Sequence, residues 1–160
     1  MNANVIHSNF SGECFGADSS PAILPAGRYY IGDPCYVIPD EEWHSLLEHV
    51  NYFEGNGLFE YKGCKMAVYS TAWGDGLYSG YCSANNSFYS FGVDAGLLGA
   101  VPEELVSEEA KGRIDSKELW VVVEESGSLV CWKEGRGLIH LGPLSIETDD
   151  CADEEEEEYF

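Results

Sequence analysis

Leu58-Phe59-Glu60-Tyr61-Lys62-Gly63-Cys64-Lys65-Met66-Ala67-Val68-Tyr69 decides the fold class. Two runs rich in aromatic and β-branched residues flank a short Lys-Gly-Cys turn, which predicts a β-hairpin. The same grammar continues downstream. Gly74-Asp75-Gly76 is a tight turn into Leu77-Tyr78, and Asn85-Asn86 precedes the extended run Phe88-Tyr89-Ser90-Phe91-Gly92-Val93. Upstream, Pro25-Ala26-Gly27 leads into Arg28-Tyr29-Tyr30-Ile31, Gly32-Asp33-Pro34 breaks that run, and Cys35-Tyr36-Val37-Ile38 resumes it. Three further strands are expected at Leu119–Val123, Ser128–Trp132 and Leu138–Leu141, with a last short one at Leu144–Ile146.

Helical periodicity occurs twice. Trp43, Leu46, Leu47 and Val50 recur at helical spacing behind Glu41 and Glu42, predicting a helix over 40–50 with acids at its positive end. Pro102-Glu103-Glu104-Leu105-Val106 predicts a second, ended near Gly112. The fold class is therefore α+β: about eight short, mainly antiparallel strands in a small barrel or sandwich, with two short helices. At 160 residues the chain fits one domain, read as a flexible N-terminal arm over 1–22, a β-rich domain over 23–148 and a disordered acidic tail over 149–160.

Charge is the second constraint. The 29 acids and 8 bases give a formal charge of −21. Eight of those acids lie between Asp149 and Glu158, so the remaining 21 acids and 8 bases leave the body at −13. Each contact to a phosphate needs a cation, which disfavours direct binding to nucleic acid or to anionic membrane, and the natural partner is a basic protein surface. No apolar run reaches the roughly 20 residues of a membrane span. The first residues lack a secretion signal, so the expected location is the cytoplasm, of a bacterial cell or a phage-infected host. Six cysteines, at 14, 35, 64, 82, 131 and 151, include no Cys-x-x-Cys pair and read as free thiols.

Candidate chemistry is sparse. Asp33, Asp75 and Asp94 each sit in a glycine turn, with Cys35 beside the first. Converging carboxylates bind divalent metals or act as acid and base, whereas an isolated Asp in such a turn bonds its own backbone two residues on. The histidines, His7, His44, His49 and His140, show no ligand spacing, and His140 alternates with Ile139 and Leu141 so that it faces away from them. No Gly-x-Ser-x-Gly elbow or Gly-Lys phosphate loop is present, and the glycines of 92–99 have the wrong spacing for a dinucleotide loop. No cofactor is implied beyond a divalent metal at the aspartates. In the tail, Glu154, Glu155, Glu156, Glu157 and Glu158 followed by Tyr159 and Phe160 combine an anionic run with an apolar anchor, a candidate partner-binding element.

Tyr30-Ile31-Gly32-Asp33-Pro34-Cys35-Tyr36-Val37, Tyr69-Ser70-Thr71-Ala72-Trp73-Gly74-Asp75-Gly76, Val93-Asp94-Ala95-Gly96-Leu97-Leu98-Gly99 and Ile139-His140-Leu141-Gly142 occur in that order. The stretch from Gly27 to Thr148 that contains them resembles a family of small uncharacterised proteins from bacteria and their phages. The resemblance supplies a grouping without a chemistry, and implies that the Asp33, Asp75 and Asp94 turns lie near one another. Two functions are expected from these readings. One is a small acidic interaction protein that binds a basic surface of a protein partner, itself nucleic-acid-binding, in the manner of a phage-type inhibitor or nucleic-acid mimic. The alternative is a small metal-dependent hydrolase or ligand-binding domain using Asp33, Asp75 and Asp94.

Overall fold

A computed structural model describes residues 4–8, 21–54, 57–111, 119–123 and 127–148. Among these described residues, twelve strands form two six-stranded sheets. The first has the order β1 (Asn4–Ser8), β9 (Leu119–Val123), β3 (Gly27–Gly32), β8 (Leu97–Pro102), β5 (Cys64–Ser70), β4 (Gly57–Tyr61). The second runs β2 (Ala22–Leu24), β10 (Leu129–Glu134), β11 (Leu138–Leu141), β12 (Leu144–Glu147), β6 (Gly76–Cys82), β7 (Ser87–Val93). The sheets pack face to face and do not close into a barrel, so the α+β expectation resolves to a sandwich. The hairpin expected at Lys62-Gly63 joins β4 to β5.

Side-chain alternation explains the layering. On β3, Tyr29 and Ile31 enter the core between the sheets, while Tyr30 points to the opposite face. On β5, Ala67 and Tyr69 face the second sheet, and Met66 and Val68 face away. The first sheet is thus buried on both sides. Its outer side is covered by a second core in which Val37, Ile38, Leu46, Val50, Phe53 and Leu105 meet Tyr30, Met66, Val68 and Trp120. A strand buried on both faces reads as a continuous apolar run, which is the pattern of Met66–Tyr69 and Leu98–Val101. The second sheet keeps one face in water, so β6 alternates strictly between exposed and buried positions from Leu77 to Cys82.

The elements that differ from expectation do so because of contacts distant in sequence. Asn4–Ser8, read as part of the arm, is β1 and pairs in parallel with β9, a non-local pairing over more than a hundred residues. The helix α1 (Asp40–His49) agrees with the periodicity, with Asp40, Glu41 and Glu42 in its first turn and Leu46 fully buried. The second helix does not begin at Pro102. Glu103–Leu105 makes one 3₁₀ turn, and Val106 is extended at φ −83 and ψ 137. The helix α2 then starts at Glu108, with the Ser107 hydroxyl accepting from Ala110 N at 3.0 Å. Ser107 is held there by its own N–H, which donates to Val37 O at 2.8 Å, so docking onto the Cys35–Ile38 segment interrupts the helix.

One lysine closes an end of the inter-sheet core. Lys133 lies opposite Ile139, hence on the inward side of β10, and its Nζ donates to Ser70 O on the other sheet at 2.8 Å. Burial lowers its pKa. Among the described residues no helix is long and apolar enough to cross a membrane.

Candidate functional site

Asp33 is fully buried, at 0% exposure, and its carboxylate is consumed by the backbone. One oxygen accepts from Cys35 N at 3.0 Å, capping the 3₁₀ turn Pro34–Tyr36. The other accepts from Asp94 N at 2.9 Å and Ala95 N at 2.7 Å, on the loop between β7 and β8. A charged acceptor with three N–H donors is the arrangement that makes burial of a carboxylate affordable. The Asp caps its own turn two residues on, and in addition clasps a second loop sixty residues away.

The third motif loop joins the same assembly. Thr71 N donates to Gly96 O at 3.0 Å, and the hydroxyls of Thr71 and Tyr78 donate to Gly74 O at 2.7 and 2.8 Å. Gly74 (φ 78) and Gly96 (φ 72) both adopt left-handed backbone, and a Cβ on Gly96 would stand 3.8 Å from Gly74 Cα. Thr148 ties on the end of β12: its hydroxyl accepts from Ala72 N at 3.1 Å and donates to Gly137 O at 2.6 Å. The three motif turns therefore lie together, but their carboxylates do not converge. Asp75 is exposed, and Asp94 uses Oδ2 to accept from the Tyr36 hydroxyl at 2.7 Å. Among the described residues no three His, Cys, Asp or Glu side chains are grouped to hold a metal ion.

Cys35 does not offer a thiolate. Burial, then the nearby Asp33 and Asp94 carboxylates, push its thiol up to about 12, so it stays protonated and weakly nucleophilic at neutral pH. Burial and the bond to Asp94 likewise raise Tyr36, keeping its hydroxyl a donor. Cys35, Cys64, Cys82 and Cys131 are free thiols. Cys14 and Cys151 lie outside the described residues, as do Glu154–Glu158, Tyr159 and Phe160.

Next to this hub is a cleft the sequence did not announce. Some 450 Å³ in volume, it lies between the starts of α1 and α2 and is lined by Cys35, Tyr36, Ile38, Pro39, Asp40, Glu41, Ser107, Glu108 and Glu109. Asp40, Glu41, Glu108 and Glu109 are exposed, and Tyr36 stands half-exposed at the rim. Both walls depend on the interactions above: the Asp33-capped turn sets Cys35 and Tyr36, and the Ser107–Val37 bond sets α2. The signal available in sequence was two acidic helix starts, but nothing local says that they face each other. A second cavity of about 460 Å³, with Ile23, Arg28, Tyr29, Lys65 and Glu104 in its lining, contains none of the expected site residues.

His140 does face away from the core, as its alternation required. It stacks on Trp132, with ring centroids 4.2 Å apart, and bridges Ser145 Oγ at 2.9 Å and Glu134 Oε1 at 2.8 Å. The order Ser–His–Glu has the form of a hydrolytic triad, but β11 is paired on both sides throughout, as are Leu144–Ile146 of β12 and Cys131 of β10. The backbone N–H groups of these doubly paired residues belong to the ladders and are not arranged as an oxyanion hole. We assign this chain of bonds to the satisfaction of a surface histidine. No protein-family model, curated protein or solved structure matches the chain.

Two outcomes test this site. Asp33→Asn replaces a charged acceptor by an amide whose NH2 must confront at least one backbone N–H, and is expected to cost about 2–4 kcal/mol in urea unfolding, whereas Asp75→Asn changes stability by less than about 0.5 kcal/mol. Equal effects would remove the distinction between clasp and bystander. The second concerns pH. Burial raises the pKa of Cys131, as of Cys35, to about 12, and raises those of Tyr29 and Tyr69. The unfolded chain thus gives up these protons first, from about pH 9, and stability falls as pH climbs from there toward 12, by at most ~1.4 kcal/mol per unit for each group. Urea midpoints under reducing conditions are expected to decline over that window, less steeply in Cys131→Ala. A flat profile would contradict the burial of these groups.

Proposed function

We propose that this chain is an acidic interaction protein that receives a basic side chain, Arg or Lys, from a protein partner in the cleft between α1 and α2. The observation that supports it is the cleft itself, with Asp40, Glu41, Glu108 and Glu109 around its mouth and Tyr36 at its rim. The carboxylates are acceptors for an ammonium or guanidinium, and the Tyr36 ring and Pro39 offer contact to its aliphatic stem. A body at −13 adds long-range attraction that accelerates encounter with a cationic surface. Proteins that bind nucleic acid have such surfaces, so an inhibitor acting as a nucleic-acid mimic in a bacterial or phage setting is the form of this function we favour. On its motifs we group the chain with the small bacterial and phage family that it resembles. The acidic tail, with Glu154–Glu158, adds to the same attraction in this proposal.

The test is capture of partners from bacterial lysate by immobilised protein, with salt raised stepwise. Binding is expected to fall at least ~10-fold between about 0.05 and 0.5 M NaCl, to be abolished by the double variant Glu41→Lys, Glu109→Lys, and to survive in a chain ending at Thr148. The double variant Glu54→Lys, Glu60→Lys, at two exposed positions outside the cleft lining, serves as the charge-matched control. Partners indifferent to salt and to reversal of the cleft would sink the proposal. Loss of capture on removing the tail alone would transfer it to the tail.

A further inference from the structure

From Gly76 to Val93, eighteen consecutive residues contain no Asp, Glu, Lys or Arg, although 23% of the chain is charged and about four would be expected. These residues are the hairpin of β6 and β7, paired without interruption from Gly76↔Val93 to Cys82↔Ser87. Among the described residues β7 is the last strand of its sheet, with no described strand along its other side. Exposed edges are ordinarily blunted by charge, proline or a bulge, and Ser87–Val93 has none of these. By contrast β4, an edge of the other sheet, carries Glu60. Two large apolar side chains of the hairpin face water, Phe88 at 73% and Leu77 at 56% exposure.

We propose that β7 is the edge through which two copies of this chain join, antiparallel about a two-fold axis at Ser90, making one continuous sheet from the second sheets of both. The charge pattern selects a second copy over a basic partner. Two molecules at −21 can approach closely only where neither is charged, and a cationic surface finds no carboxylate on this hairpin to bind. The register supplies a steric reason. With Ser90 opposite Ser90, Phe88 of each copy lies opposite Gly92 of the other, so the most exposed ring meets the residue without a side chain, twice in the dimer. There the ring meets Tyr36, whose hydroxyl lies 3.6 Å from where a Gly92 Cβ would stand, and Leu77, the cross-strand neighbour of Gly92. The first charge beyond the strand, Asp94, falls eight residues along from its symmetry mate, roughly 27 Å away and beyond the ~8 Å Debye length of physiological salt. The pairing meets the cleft only at Tyr36, on its rim, and uses none of the four carboxylates around its mouth.

Sedimentation velocity on the full chain, over a ~100-fold concentration range at low and high NaCl, tests this. The weight-average mass is expected to rise from 17.6 kDa toward twice that value, and salt is expected to favour the dimer by screening repulsion, the reverse of its effect on capture of a basic partner. Ser90→Glu sets like charges against each other on the axis and is expected to weaken dimerisation at least ~10-fold with far-UV circular dichroism unchanged. Phe88→Ser, which alters a side chain exposed in the single copy, is expected to weaken it as well. A mass fixed at 17.6 kDa in every condition, growth past the dimer, or a dimer indifferent to both folded variants would overturn the proposal.

Discussion

A buried carboxylate bonded to three backbone N–H groups organises this protein's loop end. Asp33 terminates β3, caps the turn that presents Cys35 and Tyr36, and holds the loop that follows β7. Because an ion moved out of water must recover its hydration from fixed dipoles, the three donors and the carboxylate stabilise one another, and each loop is placed only while the others are. The consequences reach outward through short links: Tyr36 to Asp94, Val37 to Ser107, Ser107 to the first turn of α2. The acidic cleft is the space left between elements fixed in this way.

The surface built on that frame divides by charge. Acids concentrate at the starts of α1 and α2 and in the sequence after Thr148, while the β6–β7 hairpin has no formal charge at all. Self-repulsion in so acidic a chain opposes compaction, and is tolerated here because two apolar cores, one between the sheets and one under the helices, supply the opposing burial. On the two proposals, the charged cleft and the neutral edge would respond to salt in opposite directions.

Periodicity revealed most of this architecture. The strict alternation of β6, the apolar stripe of α1 and the Lys62-Gly63 turn are local patterns with local causes, and they survive in the structure. What escaped detection is non-local. β1 is defined by pairing with β9, a partner more than a hundred residues away. The interruption at Val106 and Ser107 comes from docking on Val37, and the Ser–His–Glu chain exists only through cross-strand register. Asp33, Asp75 and Asp94 look equivalent as Asp in glycine turns. Only burial separates them, into a clasp, an exposed turn residue and an acceptor for Tyr36. The turns do gather, yet the side chains that would make a metal site do not.

Native-state hydrogen exchange at the amides of Cys35, Asp94 and Ala95 reads the clasp directly, since these are the N–H groups that Asp33 accepts from. All three are expected to exchange as slowly as the central strand amides of β3 and β8, although they lie in loops. Exchange at the rate of ordinary exposed loop amides would mean that the Asp33 carboxylate does not hold these segments, and the account of the cleft built upon it would fail.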